Sequence, residues 1–449
     1  MLFENDVKRA LGVKPMQMGK MTEAIKLWKA MYDGEAYWIG GKAKSLNLPS
    51  AIASETARLV TMEMKSNIRG GVRAEYLEEQ YQGVVENLRG FVEYGCASGG
   101  LILKPFVSGR KILVDFAQAG DFLPVEFDSS GRITGAVFVD RVYEEDKVYT
   151  RLEYHRMDKG EYEIRNVAYC SKNRASLGKE IALEQVEKWE NLTAQVRMKN
   201  VEQPLFAYFK MPVANTVDSE SPLGVSIYAR AVELIEEADR QYSRLIWEFE
   251  SGERALYVSD TAFRRDKSGN IRFPDKRLYR AIDGAPELFE DWTPTIREQS
   301  ILNGLDNILM KVEDSCGLAR GTFSNPQTEV RTATELKIMR QRSYATVVDT
   351  QKALKRALED LIGAMNIWVD LYQLAPDGIY EVSFEFDDSI ASDRQAEFAE
   401  RQQLLTMGVL QPWEMRAWYL GEDEQTAREQ AGAGCKEEEQ SSENNQVAK

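Results

Sequence analysis

Residues 317–331 read Gly317-Leu318-Ala319-Arg320-Gly321-Thr322-Phe323-Ser324-Asn325-Pro326-Gln327-Thr328-Glu329-Val330-Arg331. Two glycines, a proline and a run of small polar side chains make this stretch a loop, and its flanks decide the fold. Before it, Ile296, Ile301, Leu305, Ile308, Leu309 and Val312 recur at helical spacing and predict a helix from about Pro294 to Cys316. After it, Thr332 to about Leu374 carries one continuous helical pattern, stopped by Pro376. At 1.5 Å per residue such a helix would span roughly 65 Å. That exceeds an ordinary globular helix and suits a large assembly better than a compact enzyme.

Working toward the N-terminus, Ser221-Pro222-Leu223-Gly224 leads into a predicted helix from about Val225 to Gly252. Its apolar positions include Ala231, Leu234, Ala238, Leu245 and Phe249, and its other face is densely charged. Glu236 and Arg240 stand four apart with the acid first, the favoured order for a supporting pair. Between this helix and the one ending at Cys316 lies a small β-rich insert. Ala255 to Ser259 and Asn270 to Phe273 are expected to pair as a hairpin around Asp266-Lys267-Ser268-Gly269. Arg264, Arg265 and Lys267 would then form a basic cluster at its tip. Two helices separated by a compact insert suggest an antiparallel pair carrying a small domain.

The first half of the chain predicts helices over Met21–Met31, Pro49–Met64 and Glu75–Tyr94. Strands follow at Leu101–Val107, Lys111–Phe116, Arg132–Arg141, Tyr149–His155 and Tyr162–Tyr169, separated by turns such as Ser108-Gly109, Ser130-Gly131 and Lys159-Gly160. An antiparallel sheet beside helices defines an α+β fold class. Near the other end, a strand is expected at Tyr380–Asp387 and a helix from Asp393 to about Met407. From about Gly421 the chain turns acidic and rich in Gly, Ala, Gln and Ser, the composition of a disordered tail.

Composition narrows the function classes. With 449 residues, one single core is not expected. A formal net charge of -15 argues against tight gripping of nucleic acid, though not against a channel along which DNA slides. Cys96, Cys170, Cys316 and Cys435 lie far apart and form no CxxC pair, so neither a zinc site nor a disulfide framework is suggested. No signal peptide or membrane span is expected, because no apolar run reaches ~18 residues. One histidine, His155, sits in a strand pattern, and its simplest reading is a strand side chain. Gly40-Gly41-Lys42 lacks the spacing of a phosphate loop. Asp387, Asp388 and Asp393 could be read as a magnesium site of a nuclease, but a strand end followed by a helix cap is the simpler reading. The expectation is a protein that is not an enzyme, with no catalytic residues, metal or cofactor.

Several strings occur in an order that resembles the portal proteins of siphovirus-type phages and prophages of Gram-positive bacteria. They are Ile25-Lys26-Leu27-Trp28 with Tyr32, Gly34 and Trp38; Tyr94-Gly95 with Gly99-Gly100; and Pro222-Leu223-Gly224-Val225-Ser226. Later come Gly317 to Phe323, Arg331-Thr332-Ala333-Thr334-Glu335-Leu336, Phe386 to Ile390 with Asp393-Arg394, and Gly408-Val409-Leu410 with Glu414, Arg416, Leu420 and Gly421. Each is weak alone, but together they run nearly end to end.

The resemblance implies a portal-type fold, in a dodecameric homo-oligomeric ring. Residues 1–224 would be a mixed helix and antiparallel-sheet wing, 225–254 and 294–316 a two-helix stem, and 255–293 a small β-containing clip. Residues 317–331 would be a tunnel loop, 332–375 the long spanning helix, 376–388 a strand returning to the wing, and 389–449 a helical crown and acidic tail. Such a ring sits at the capsid vertex of the virion and passes double-stranded DNA during packaging and ejection. Its partners would be terminase, then a head-completion or adaptor protein, with capsid and scaffold proteins, and no membrane. Arg320, Thr322, Ser324, Asn325, Gln327 and Arg331 would face the DNA through a backbone mobile before DNA enters. Arg264, Arg265 and Lys267 would dock partners. A different phage head protein and a metal-dependent nucleic-acid enzyme are the competing readings.

Overall fold

The computed structural model describes residues 4–430 except 15–18, 42, 63, 145, 159, 174–175, 254, 260–266, 269–278, 283–288, 293–294, 326–332, 387–393, 423 and 429. Two compact units divide the chain, Met1–Phe386 and Asp387–Lys449.

The first unit opens with helices α1 (Glu4–Leu11), α2 (Gly19–Tyr32) and α3 (Leu48–Thr61), strand β1 (Lys65–Gly70) and helix α4 (Val72–Ser98). Leu77, Tyr81, Val84, Leu88, Val92 and Cys96 recur every three or four residues on α4, and all are buried. They join one core with Ile52, Ala57 and Val60 of α3 and Trp28 of α2. Strands β2 (Gly100–Ser108) and β3 (Lys111–Gln118) follow as an antiparallel hairpin. Next come β4 (Phe122–Phe127), β5 (Ile133–Glu144), β6 (Lys147–Asp158), β7 (Glu161–Ser171) and β8 (Lys179–Ile181), which make a sheet in sequence order. Strand β9 (Gln195–Lys199) also pairs with β7, and β10 (Ala207–Lys210) adds to β2. Every pairing named so far is antiparallel, as expected for an α+β fold.

Two of the quoted sequence strings meet at one crossing. Gly99 has φ +91°, and a Cβ there would lie 2.6 Å from the Gly224 carbonyl oxygen; a Cβ on Gly224 would lie 2.1 Å from that of Gly99. Only two glycines let these backbones pass. The Gly224 N–H donates to the Tyr208 hydroxyl (2.9 Å), the Met211 N–H to the Gly99 carbonyl (3.1 Å) and the Ile227 N–H to the Cys96 carbonyl (3.0 Å). This crossing holds residues 224–228 outside the helix expected from Val225. Helix α5 begins instead at Val232, after a 3-10 turn, and runs to Ser251.

In the insert, β11 (Ala255–Ser259) lies between β12 (Tyr279–Ile282), which is parallel to it, and β13 (Phe289–Trp292), which is antiparallel. Both edges of β11 are therefore occupied; Asn270 to Phe273, the strand expected to pair with it, lie outside the described residues. Helix α6 runs Glu298–Cys316 and α7 runs Ala333–Tyr372 as one 40-residue helix. Strand β14 (Tyr380–Glu385) then pairs antiparallel with β1. The buried Arg73 side chain ties this corner together. Its guanidinium donates to the Pro376 carbonyl (3.1 Å), to Asn366 (2.9 Å) and to the Asp370 carboxylate.

The second unit contains α8 (Arg394–Thr406) and α9 (Pro412–Leu420). Arg401 stacks over Trp418 at 4.6 Å, and Arg428 over Trp413 at 4.2 Å.

His155 is the only histidine and lies buried on β6. The Leu205 N–H donates to the Tyr162 hydroxyl (3.1 Å), which in turn lies 2.9 Å from His155 Nδ1. That leaves the hydroxyl proton for Nδ1, so the ring proton sits on Nε2 and is donated to Glu153 (2.6 Å). Burial would raise the Glu153 carboxyl, but Lys104 at 2.7 Å, His155 and Arg151 hold it well below the usual range. Burial lowers His155 below its ordinary value, over the opposing pull of Glu153. The unfolded chain therefore takes up this proton near the ordinary value of about 6.5, before the folded chain does. Stability should fall as pH drops through that window. Urea midpoints between pH 7.5 and 5.5 should show wild type losing stability with a limiting slope of about 1.4 kcal/mol per pH unit relative to His155→Gln. Equal slopes in the two proteins would refute the neutral, buried assignment.

Candidate functional site

Helices α5 and α6 form an antiparallel pair. At one end, Glu248 accepts from the Arg297 backbone N–H (3.1 Å) and from its guanidinium (3.1 and 2.9 Å). Midway, Gln241 donates to the Ile301 carbonyl (3.2 Å). Asp239 anchors α5 to the N-terminal segment by accepting from Trp38 Nε1 (2.9 Å) and the Leu46 N–H (2.7 Å). Burial raises the Asp239 carboxyl against these two bonds. Tyr37 donates to Glu236 on the same side (2.9 Å).

The pair leaves large apolar side chains in solvent: Trp247 is 61% exposed, Phe249 49% and Leu302 41%. Trp247 and Phe249, two residues apart on α5, stand on different sides of that helix. Beside Trp247 a groove of about 480 Å3 runs between α5 and Gly41, Ala43 and Lys44.

Helix α6 ends at Gly317, whose φ of +71° is a left-handed cap. The Leu318 N–H reaches back to the Glu313 carbonyl (2.9 Å) and the Gly317 N–H to that of Asp314 (3.4 Å). A Cβ on Gly317 would also lie 2.4 Å from Thr346 Oγ1 of α7. The chain then folds around one carboxylate. Glu313, fully buried, accepts from the backbone N–H groups of Gly321 (3.1 Å), Phe323 and Ser324 (2.8 Å), and from the Ser324 hydroxyl (2.8 Å). A carboxylate near a helix C-terminus is opposed by the helix dipole, and these four donors offset that. Asp306 accepts from the Asn325 N–H (2.6 Å).

The expected channel residues thus separate. Ser324 is buried and binds Glu313, so it anchors the loop; its assignment as a DNA-facing group is corrected. Arg320 is exposed but forms a two-bond pair with Asp314 (3.1 and 2.7 Å), which raises its guanidinium further above the ordinary value. Thr322 is partly buried and donates to the Ala319 carbonyl (2.6 Å), and Asn325 is exposed. Gln327 and Arg331 lie outside the described residues. The dense bonding of 317–325 gives no support to a mobile backbone there. Of the basic cluster, Lys267 is exposed in a turn, while Arg264 and Arg265 lie outside the described residues. So do Asp387, Asp388 and Asp393.

Sequence reasoning missed Glu313 and Asp306, the two carboxylates that shape the loop. A signal existed for Glu313: it adjoins Val312 on the inward side of α6, one turn before the cap glycine. Among the described residues no group of three or more metal-binding side chains occurs, and no helix is long and apolar enough to cross a membrane.

A family model described as phage portal protein, SPP1 Gp6-like, matches residues 71–443. The chain belongs to that family of phage portal proteins, a structural rather than an enzymatic one. No curated protein matches it significantly.

Proposed function

We propose that the chain assembles into a closed homo-oligomeric ring, a dodecamer in the virion, at the capsid vertex of a tailed phage. Double-stranded DNA passes through this ring during packaging and again during ejection. The family match across residues 71–443 carries the reading. The exposed Trp247, Phe249 and Leu302 support it, because a ring repeats a heterologous contact, which joins two different surfaces of each subunit, until it closes.

In this reading α5 and α6 are the stem, the 255–293 insert is the clip, and α7 spans from the loop back toward the wing. Arg264, Arg265 and Lys267 dock terminase and then the head-completion protein. The turn 317–325 belongs to the tunnel loop, which lines the channel. Asn325, Gln327 and Arg331 then make brief contacts to phosphate, and Arg320 meets DNA already paired with Asp314. Few unpaired cations and a net charge of -15 suit sliding, since each further phosphate contact strengthens binding.

Deleting residues 326–331 should leave assembled mass unchanged and impair DNA translocation in a packaging reaction. Normal translocation by the assembled deletion variant would remove the loop from the channel reading.

A further inference from the structure

Away from the stem pair, a hollow of about 600 Å3 lies between the 130–132 turn before β5, the segment 211–214 after β10, and the middle of α7. Its charged lining is Arg132, Lys210 and Arg356 against a single carboxylate, Asp360. Arg132 and Asp360 pair at 2.8 Å. Among the described residues, the Lys210 ammonium and the Arg356 guanidinium have no hydrogen bond or ion pair. Three cations facing one carboxylate leave two positive charges in the hollow, within a chain whose formal charge is -15.

These residues do not meet by local chance. Lys210 closes β10, which is set by its pairing with β2, and Arg356 stands on α7 one turn before Asp360. Lys210 is half-buried, and burial lowers its ammonium with no neighbouring anion to oppose it. A desolvated, unpaired cation is unfavourable unless something of opposite charge arrives. Phe206, buried at the base of the hollow, adds apolar wall. The volume falls within the range of small-ligand sites, which are mostly apolar with a few convergent polar groups.

From this geometry we propose that the hollow binds a phosphate group, held between the Lys210 ammonium and the Arg356 guanidinium, with Arg132 beside them. Two unpaired cations match the two charges of a free phosphate dianion and exceed by one the charge of a backbone phosphodiester, and a guanidinium fork with a lysine point charge is a recurrent phosphate-binding pair. The phosphate is either free in solution or part of a DNA backbone. Among the described residues its lining includes none of the loop, and the proposal stands whether or not the ring reading holds.

Calorimetric titration of the full chain with inorganic phosphate, at ionic strength matched with chloride, tests it. Wild type should bind, and Lys210→Gln and Arg356→Gln should each weaken binding roughly tenfold or more, the loss expected for one charge-assisted hydrogen bond. Arg356 is exposed, so its variant should fold as wild type does, and circular dichroism checks this. A parallel titration with a short DNA duplex separates the sources. An equal loss for duplex and phosphate supports backbone phosphate as the ligand, and loss for phosphate alone supports a free phosphate. Wild-type heats no different from the chloride control, or unchanged binding in the folded Arg356→Gln variant, would overturn the proposal.

Discussion

Glu313→Ala should destabilise the chain by about 3 kcal/mol, seen as a lower urea midpoint at unchanged slope. The carboxylate accepts four hydrogen bonds with no solvent exposure, from Gly321, Phe323 and both donors of Ser324. Removing it leaves the Phe323 and Ser324 N–H groups without an acceptor, which costs more than the net worth of the bonds themselves. Glu313→Gln should recover part of the loss, because its amide oxygen still accepts while its NH2 group faces donors. Amide exchange gives a local readout. Gly321, Phe323 and Ser324 should be protected in wild type and exchange quickly in Glu313→Ala. A variant with wild-type stability and protection would show that residues 317–325 do not hang on this carboxylate.

The second large effect concerns assembly. Trp247→Asp combined with Leu302→Asp should reduce the assembled particle to monomer while leaving the circular dichroism spectrum unchanged. Both side chains already face solvent in the single chain, so the fold loses little by the change. At a subunit contact, burying one large apolar side chain contributes roughly 1.5–3 kcal/mol. The contact recurs at every joint of a ring, so the loss is multiplied around it. Full assembly by the double variant would move the interface away from the α5–α6 pair.

How far the sequence disclosed this fold depends on how local each signal was. The helices α4, α6 and α7 were legible because a 3.6-residue period sustained over 19 to 40 residues admits few other readings. The strands β5, β6 and β7 were legible through alternation and their glycine turns. The short strands β1 and β10 were not read, because their partners lie far off: β1 pairs with β14 some three hundred residues later, and β10 with β2. Neither Lys65–Gly70 nor Ala207–Lys210 carries enough alternation to declare itself. In the insert, the partners of β11 likewise lie beyond its immediate sequence neighbourhood. Asp266–Gly269 reads as a tight local turn, whereas β11 takes its partners from 279–282 and 289–292.

The loop shows a different limit. Its position between two helices was plain from glycine and proline, but the roles of its polar residues were not. Ser324 and Thr322 have side chains equally suited to solvent, DNA or backbone, and composition cannot choose among them. Tertiary context turns Ser324 inward, where its hydroxyl donates to Glu313. Arg320 looked like a free cation, since its partner Asp314 belongs to the preceding helix.

Negative-stain imaging of the purified full-length chain, with its mass measured by light scattering at several salt concentrations, bears most directly on the portal reading. Closed rings with a central hole, and a mass many times 51.1 kDa, are the expected result. A strictly monomeric protein at high concentration in every salt condition, or open filaments without closed rings, would contradict it.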